Sequence, residues 1–170
     1  FDWRKHEKKI NEFSNFKTKI DDIDLHFIHE KGSGSNPMPL ILCHGWPGSV
    51  IEFFEIIEKL AHPERFGGNE EDAFNVIVPS LPGFAFSGAP PRPIGPRKMA
   101  DIFNTLMTKR LGYKNYLAQG GDFGGAISSW IGYDFPKSCS AIHINIMIVR
   151  HPDGPQTKEE KDWDIKFQQD

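Results

Sequence analysis

The run Gly120-Gly121-Asp122-Phe123-Gly124-Gly125 sets an acidic side chain at the centre of a turn between an apolar stretch, residues 115–119, and an apolar helical pattern over residues 123–135. Small residues on both sides permit strained backbone and a close strand–helix approach. Such a turn lifts its central side chain to the C-terminal edge of a parallel sheet, where open α/β folds place their sites. An aspartate there has a chemistry that serine lacks. Its reference pKa of about 3.9 leaves it ionised at neutral pH, so it attacks carbon without a base to deprotonate it first. The product is an ester on the protein itself. The plain alternative is a Gly-rich packing turn carrying a solvated Asp122. Two other motif readings fail. Asp122-Phe123-Gly124 spells the kinase magnesium motif, but no Val-Ala-Ile-Lys or His-Arg-Asp accompanies it. The glycines do not fit G-x-G-x-x-G, and no P-loop lysine follows.

Two further loops are expected at the same edge. His44-Gly45-Trp46-Pro47-Gly48-Ser49 follows another buried strand. The backbone N–H of Trp46 and that of Phe123, just after the acid, could together form a two-donor oxyanion hole. Pro47 fixes the turn, and Ser49 suits a helix N-cap. Nothing in the sequence pairs His44 with a nucleophile, so it is expected to be a structural hydrogen-bonding residue. The third loop runs from Pro79 through Ser80-Leu81-Pro82-Gly83-Phe84-Ala85-Phe86 to Ser87. Phe84 and Phe86 either belong to the core or wall a substrate pocket.

The elements that must hold these loops follow from apolar spacing. A short charged surface helix is expected over residues 2–13, then strands over 16–20 and 23–27, turned at Asp21-Asp22. Residues 32–37 form a loop. Residues 40–43 are continuously apolar, as a strand covered on both faces would be. Residues 49–61 have helical spacing, 74–79 are a strand and 96–111 a helix. Residues 115–119 are a strand, 123–135 a helix closed by Pro136, and 141–149 a final strand. Alternating strands and helices imply an α/β fold: a mostly parallel sheet with helices on both faces and an antiparallel N-terminal hairpin at its edge. His26 and His29 are three apart on a strand, point to opposite faces and make no metal pair. The charged helices at either end are solvated faces.

The 170 residues carry 20 Lys+Arg against 23 Asp+Glu, a net charge of −3, with 38% hydrophobic residues. That is globular composition, and the charge balance argues against a nucleic-acid partner. No apolar run approaches the roughly 20 residues needed to span a bilayer, and no signal peptide opens the chain. Cys43 and Cys139 sit in apolar runs and are expected to be buried free thiols, which suits a cytoplasmic location. The chain opens on Phe1 and ends within a helical pattern over residues 158–167, so it is expected to be a segment of a longer chain.

The three motifs, His44-Gly45-Trp46-Pro47, Pro79-Ser80-Leu81-Pro82-Gly83-Phe84 and Gly120-Gly121-Asp122-Phe123-Gly124-Gly125, come in an order that resembles the α/β-hydrolase-fold epoxide hydrolases. The stretch from Phe1-Asp2-Trp3-Arg4 to Ile28-His29 resembles the N-terminal region of their microsomal and juvenile-hormone branch. The resemblance implies three parts. Residues 1–36 are the end of the N-terminal extension with its hairpin, 37–150 the first part of an α/β-hydrolase core, and 151–170 the start of a connection to a lid. It also implies that Asp122 is the nucleophile, forming an alkyl-enzyme ester with a small-molecule epoxide. The Trp46 and Phe123 amides would then serve as oxyanion hole during ester hydrolysis to a vicinal diol. No cofactor, metal, nucleic acid or membrane span is implied. A detoxifying role and a homodimer paired at an unfinished sheet edge fit the same picture.

In this family the lid tyrosines, the general base and its acid lie beyond the strand expected over residues 141–149. The base and acid are therefore unassigned. His143 is expected to be a buried strand residue, and His151 to begin the lid connection. Asp153 sits in a loop and is a poor acid, and Tyr113, Tyr116 and Tyr133 precede the lid. Two alternatives remain. A haloalkane dehalogenase-like enzyme shares the Asp nucleophile; halide departure needs side-chain N–H donors, which Phe123 does not offer but the Trp46 indole could. An inactive truncated hydrolase is the other, since the isolated segment would not be competent for multiple turnover.

Overall fold

A computed structural model describes residues 1–146 and 152–167. Helix α1 (Trp3–Ile10) is capped by Asp2, whose side chain accepts from the Arg4 N–H, and carries Lys8 and Lys9 in its last turn. That arrangement complements the helix dipole. Strands β1 (Asn15–Ile20) and β2 (Ile23–Glu30) pair antiparallel around Asp21 and Asp22. Both turn residues have positive φ, 49° and 63°. Aspartate tolerates that region, and two such residues give the turn that matches strand twist.

Strand β3 (Met38–Cys43) leads through a 3₁₀ turn at Val50–Phe53 into α2 (Phe54–Ala61). The helix expected from residue 49 thus begins with one tighter turn. Ser49 accepts from the Ile51 N–H, and the Glu52 side chain reaches back to the Ser49 N–H at 3.2 Å. This reciprocal capping satisfies donors left over at the helix start. Strand β4 (Phe74–Pro79), helix α3 (Pro96–Thr105), strand β5 (Tyr116–Gly120) and helix α4 (Phe123–Asp134) follow. Beyond Thr105 the expected α-helix widens to a π turn, Leu106–Arg110. The Thr108 hydroxyl donates to the Asn104 carbonyl at 2.6 Å, competing for the acceptor that an α-helical Thr108 N–H would use. Strand β6 (Cys139–Ile144) is shorter than expected. The chain bends at Asn145, and residues 147–149 of the expected strand lie outside the described residues. Helix α5 (Lys158–Phe167) closes the described chain.

The sheet order is β1-β2-β4-β3-β5-β6. Strands β3, β4, β5 and β6 are mutually parallel, and the hairpin joins through antiparallel β2–β4 pairing. Strand alternation sorts side chains to two cores. Leu25, Phe27, Ile41, Cys43, Ile77 and Ala118 face α3 and α4, with Ile102, Phe103, Ile127 and Ile131. Ile28, Leu40, Leu42, Val76 and Val78 face α1 and α2, with Ile10, Phe54, Ile57 and Ala61. Each buried aliphatic side chain contributes about 1.5–3 kcal/mol. Ion pairs such as Arg97–Asp134 and Lys98–Asp21 lie at the surface, where solvent screening leaves them minor contributors.

Cys43 and Cys139 are free and buried. Burial pushes the Cys43 thiol up to about 12, which keeps it protonated and unreactive. His143 is exposed on β6 rather than buried. Strand β6 is the last strand of the described sheet, and nothing among the described residues covers that part of its face.

A buried polar cluster ties the hairpin to the sheet. Asn15 donates from Nδ2 to the carbonyls of Ile10 and Phe13, so its Oδ1 accepts from His26 Nε2–H at 2.9 Å. His26 Nδ1 then accepts from the Ser80 hydroxyl at 2.8 Å. Burial, reinforced by the charge on Lys17, lowers His26 from its ordinary value to about 4. The unfolded chain therefore binds this proton first. Stability from His26 is fully present above about pH 6.5 and drains away as pH falls towards 4. Denaturant melts across that window should show stability falling with pH, with a shallower slope in His26→Gln. An unchanged slope would place the dependence elsewhere.

Candidate active site

The site is built from the ends of three neighbouring strands. Cys43 at the end of β3 pairs with Gly120 at the end of β5, and β4 runs along the other side of β3. Chain order moves from β3 to β4 on one side and then to β5 on the other. The loops after β3 and β5 therefore part at a topological switch point, which opens a crevice beyond the strand ends.

Asp122 occupies the tip of the β5–α4 turn with φ 51° and ψ −127°. This is backbone that L-residues adopt only at a cost of about 1–3 kcal/mol. Its surroundings explain why the flanking positions are glycine. A Cβ on Gly120 would overlap the Gly124 carbonyl, and one on Gly124 would overlap the Cys43 carbonyl. A Cβ on Gly45 would lie 2.6 Å from Asp122 Cβ and 2.7 Å from its Oδ1.

The Trp46 N–H donates to Asp122 Oδ1 at 2.7 Å and the Phe123 N–H donates to the same oxygen at 2.6 Å. These bonds favour the ionised form and hold the carboxyl below its ordinary value, the Trp46 bond most strongly and Phe123 next, against a smaller opposing effect of burial. Oδ2 has no bond to either amide. The side chain is otherwise exposed, flanked by the exposed aromatic rings of Trp46 and Phe123. The sequence expectation of two amides converging on Asp122 thus corresponds to an observed pair of short hydrogen bonds.

Other anticipated residues are placed as follows. His44 is buried. Its Nε2 accepts from the Leu81 N–H at 3.0 Å, and Nδ1–H donates to the Gly45 carbonyl at 3.0 Å. With both nitrogens engaged, it has none left to act as a base. Phe84 is half-buried against the α3/α4 core and stands edge-on to His44 at 5.8 Å between ring centres. Phe86 does not join the carboxylate's surroundings. It lies edge-on to His26 and lines a hollow with Asn15, Phe16 and Lys17, because its loop turns back over the hairpin. Tyr113 bonds to His29 and Tyr116 to Asn104. Asp153 is exposed, and His151 lies outside the described residues.

One neighbour of the turn was not anticipated. Asn145 Oδ1 fills the space into which a side chain on Gly121 would extend. Its only sequence signal is a polar side chain within the apolar run expected as a strand over residues 141–149. A groove of about 600 Å³ lies along β3, β5 and β6 beside α2, lined by Leu42, Ile56, Gln119, Ile142, His143 and Asn145 among others. Asp122 does not line it, so this groove and the carboxylate are separate features.

Comparison with known proteins identifies the fold. Residues 38–164 match the family described as alpha/beta hydrolase fold, and residues 1–53 match the one described as epoxide hydrolase N terminus. The chain belongs to the alpha/beta hydrolase fold family. It is 42% identical over 150 residues to a putative epoxide hydrolase of Stigmatella aurantiaca, covering 88% of this chain and 34% of that protein. It is 40% identical over 154 residues to epoxide hydrolase 1 of Sus scrofa, with coverage of 88% and 34%. The solved Aspergillus niger epoxide hydrolase superposes with a TM-score of 0.78 at 35% identity, covering 95% of this chain and 43% of that one. Juvenile hormone epoxide hydrolase from Bombyx mori gives 0.76 at 36% identity, with coverage of 86% and 38%. The chain spans about a third of the length of the curated relatives it matches. No helix among the described residues is long and apolar enough to cross a membrane.

Two predictions follow from the turn. Gly124→Ala forces strand β3 and helix α4 apart and should cost about 2–4 kcal/mol in denaturant melts, with disturbed Asp122 geometry. Carbon-13 NMR of the Asp122 carboxyl should show it titrating below the ordinary aspartate range. An ordinary titration midpoint would mean that the two amides do not hold it.

Proposed function

We propose that the protein carrying this chain opens epoxides to vicinal diols through an ester on Asp122. The observation that carries this reading is the pair of amide hydrogen bonds to Oδ1 on strained, positive-φ backbone. They fix the carboxylate and leave Oδ2 as the attacking oxygen. In the first step Oδ2 forms a bond to the less hindered epoxide carbon. The carbon–oxygen ring bond breaks, and the ring oxygen takes a proton from an acid, since a free alkoxide leaves poorly. In the second step water, giving up a proton to a base, attacks the ester carbonyl carbon, Cγ of Asp122. Negative charge gathers on Oδ1, already between the Trp46 and Phe123 amides, where fixed donors stabilise it without reorganising. Collapse expels the diol oxygen, which takes a proton, and restores the carboxylate.

Three supports stand beside the geometry. The similar proteins are named epoxide hydrolases. The carboxylate is ionised at neutral pH and needs no base for the first step. Phe123 brings an apolar ring and no side-chain donor beside the nucleophile, which suits an uncharged apolar epoxide better than a departing halide. The acid and the base of the cycle are not assigned to any described residue.

The test is isotopic. A single turnover of the protein with an aryl epoxide in heavy-oxygen water should place label in the Asp122 carboxylate. Asp122→Ala should abolish diol formation. Turnover by that variant near the parental rate, or label only in the diol, would reject the ester.

A further inference from the structure

We propose that His44 is a positioning residue that sets the orientation of the Trp46 amide, acting through the peptide group it shares with Gly45. This role in catalysis rests on the reading of Asp122 as a nucleophile; the geometry itself does not.

The Gly45 carbonyl and the Trp46 N–H belong to one peptide unit. In a planar amide they are rigidly opposed, so whatever fixes the carbonyl also aims the N–H. His44 Nδ1 lies 3.0 Å from the Gly45 carbonyl oxygen, and on the other side of the same unit the Trp46 N–H lies 2.7 Å from Asp122 Oδ1. The peptide is therefore held between two hydrogen bonds. Donation into its carbonyl also polarises it, which makes its N–H a stronger donor.

The imidazole can do this in only one tautomer. A carbonyl oxygen accepts and never donates, so Nδ1 must carry the proton. The partner of Nε2 enforces that choice, because the Leu81 backbone N–H can only donate and therefore needs a bare nitrogen. Leu81 is itself fully buried and follows Ser80, which is held by His26 at 2.8 Å and by the Ser87 hydroxyl through its carbonyl at 2.8 Å. Phe84 closes over the ring edge-on. The loop after β4, which touches neither Asp122 nor Trp46 through these bonds, thus determines which nitrogen of His44 faces the loop after β3. Gly45 completes the arrangement, since any side chain there would strike Asp122.

Two amide variants separate the arms of the imidazole. In His44→Asn the side-chain amide lies near the Nδ1 position and can still donate to Gly45. In His44→Gln it lies near the Nε2 position and can still accept from Leu81. Both lose one hydrogen bond, so a merely structural role predicts similar effects. Our proposal predicts a split. In ¹⁵N-labelled protein, His44→Gln should shift the Trp46 amide resonance upfield and raise the Asp122 carboxyl titration towards its ordinary range. His44→Asn should leave both near their parental values, and the Phe123 amide should move little in either. In the unsubstituted protein, imidazole ¹⁵N shifts should report the Nδ1–H tautomer. That measurement needs no variant and therefore survives any failure to fold. An Nε2–H tautomer, or equal changes in the two variants, would overturn the proposal.

None of these readouts requires an epoxide, so they stand apart from the test of the reaction. Where the ester does form, its hydrolysis should slow by about 10-fold or more in His44→Gln, a part of the 10²–10³-fold lost when an oxyanion donor is removed outright. Ester formation should slow less, because displacement at saturated carbon builds no charge on Oδ1. Equal slowing of the two steps would also count against the role.

Discussion

One carboxylate oxygen held by two backbone amides is the constraint around which the rest of this structure is arranged. Neither donor can be supplied by a side chain that swings into place. Each is part of the main chain, so its position is only as good as the strand and turn that carry it. The Phe123 amide comes with the start of α4, and the Trp46 amide comes from a different strand end. Bringing them within 2.7 Å of the same atom requires β3 and β5 to be neighbours in register and α4 to press against β3. Gly124 beneath the turn and Gly45 above it mark the two places where that approach leaves no room for a side chain.

The cores serve this convergence. The central strands are packed on both faces, and their alternating side chains divide cleanly between two helix layers. Such a sheet is stiff, and its stiffness offsets the unfavourable backbone at Asp122. The charged surface contributes little to this. The exposed aromatic rings of Trp46 and Phe123, on the two residues whose amides hold Asp122, add little to either core.

Much of this was legible in the residues. Hydrophobic period separated strands from helices, and the Asp21-Asp22 turn, the Ser49 cap and the glycine-flanked Asp122 announced themselves because each rests on local chemistry. The misreadings share a different cause. The π turn after Thr105 arises from Thr108 bonding back to Asn104, a competition that apolar spacing does not register. Phe86 carries the same local signal as Phe84, yet one faces His44 and the other His26, since a loop's path is set by tertiary contacts. His143 was expected inside because its strand is apolar, but the inside of a strand exists only where something covers it. Asn145 went unnoticed for the same reason: its importance lies in which residue it touches, not in its type.

By position the hairpin of β1 and β2 is an appendage, being antiparallel and at the sheet's margin. The hydrogen bonds say otherwise. From Asn15 they run to His26, to Ser80, along one peptide to Leu81, to His44 and into the Gly45 carbonyl. The N-terminal segment is thus the far anchor of a truss whose near end is the amide that holds Asp122. A substitution at Asn15 or His26 is therefore felt first in the loop at Ser80, 54 residues further along the chain from His26, and only then at the amide itself.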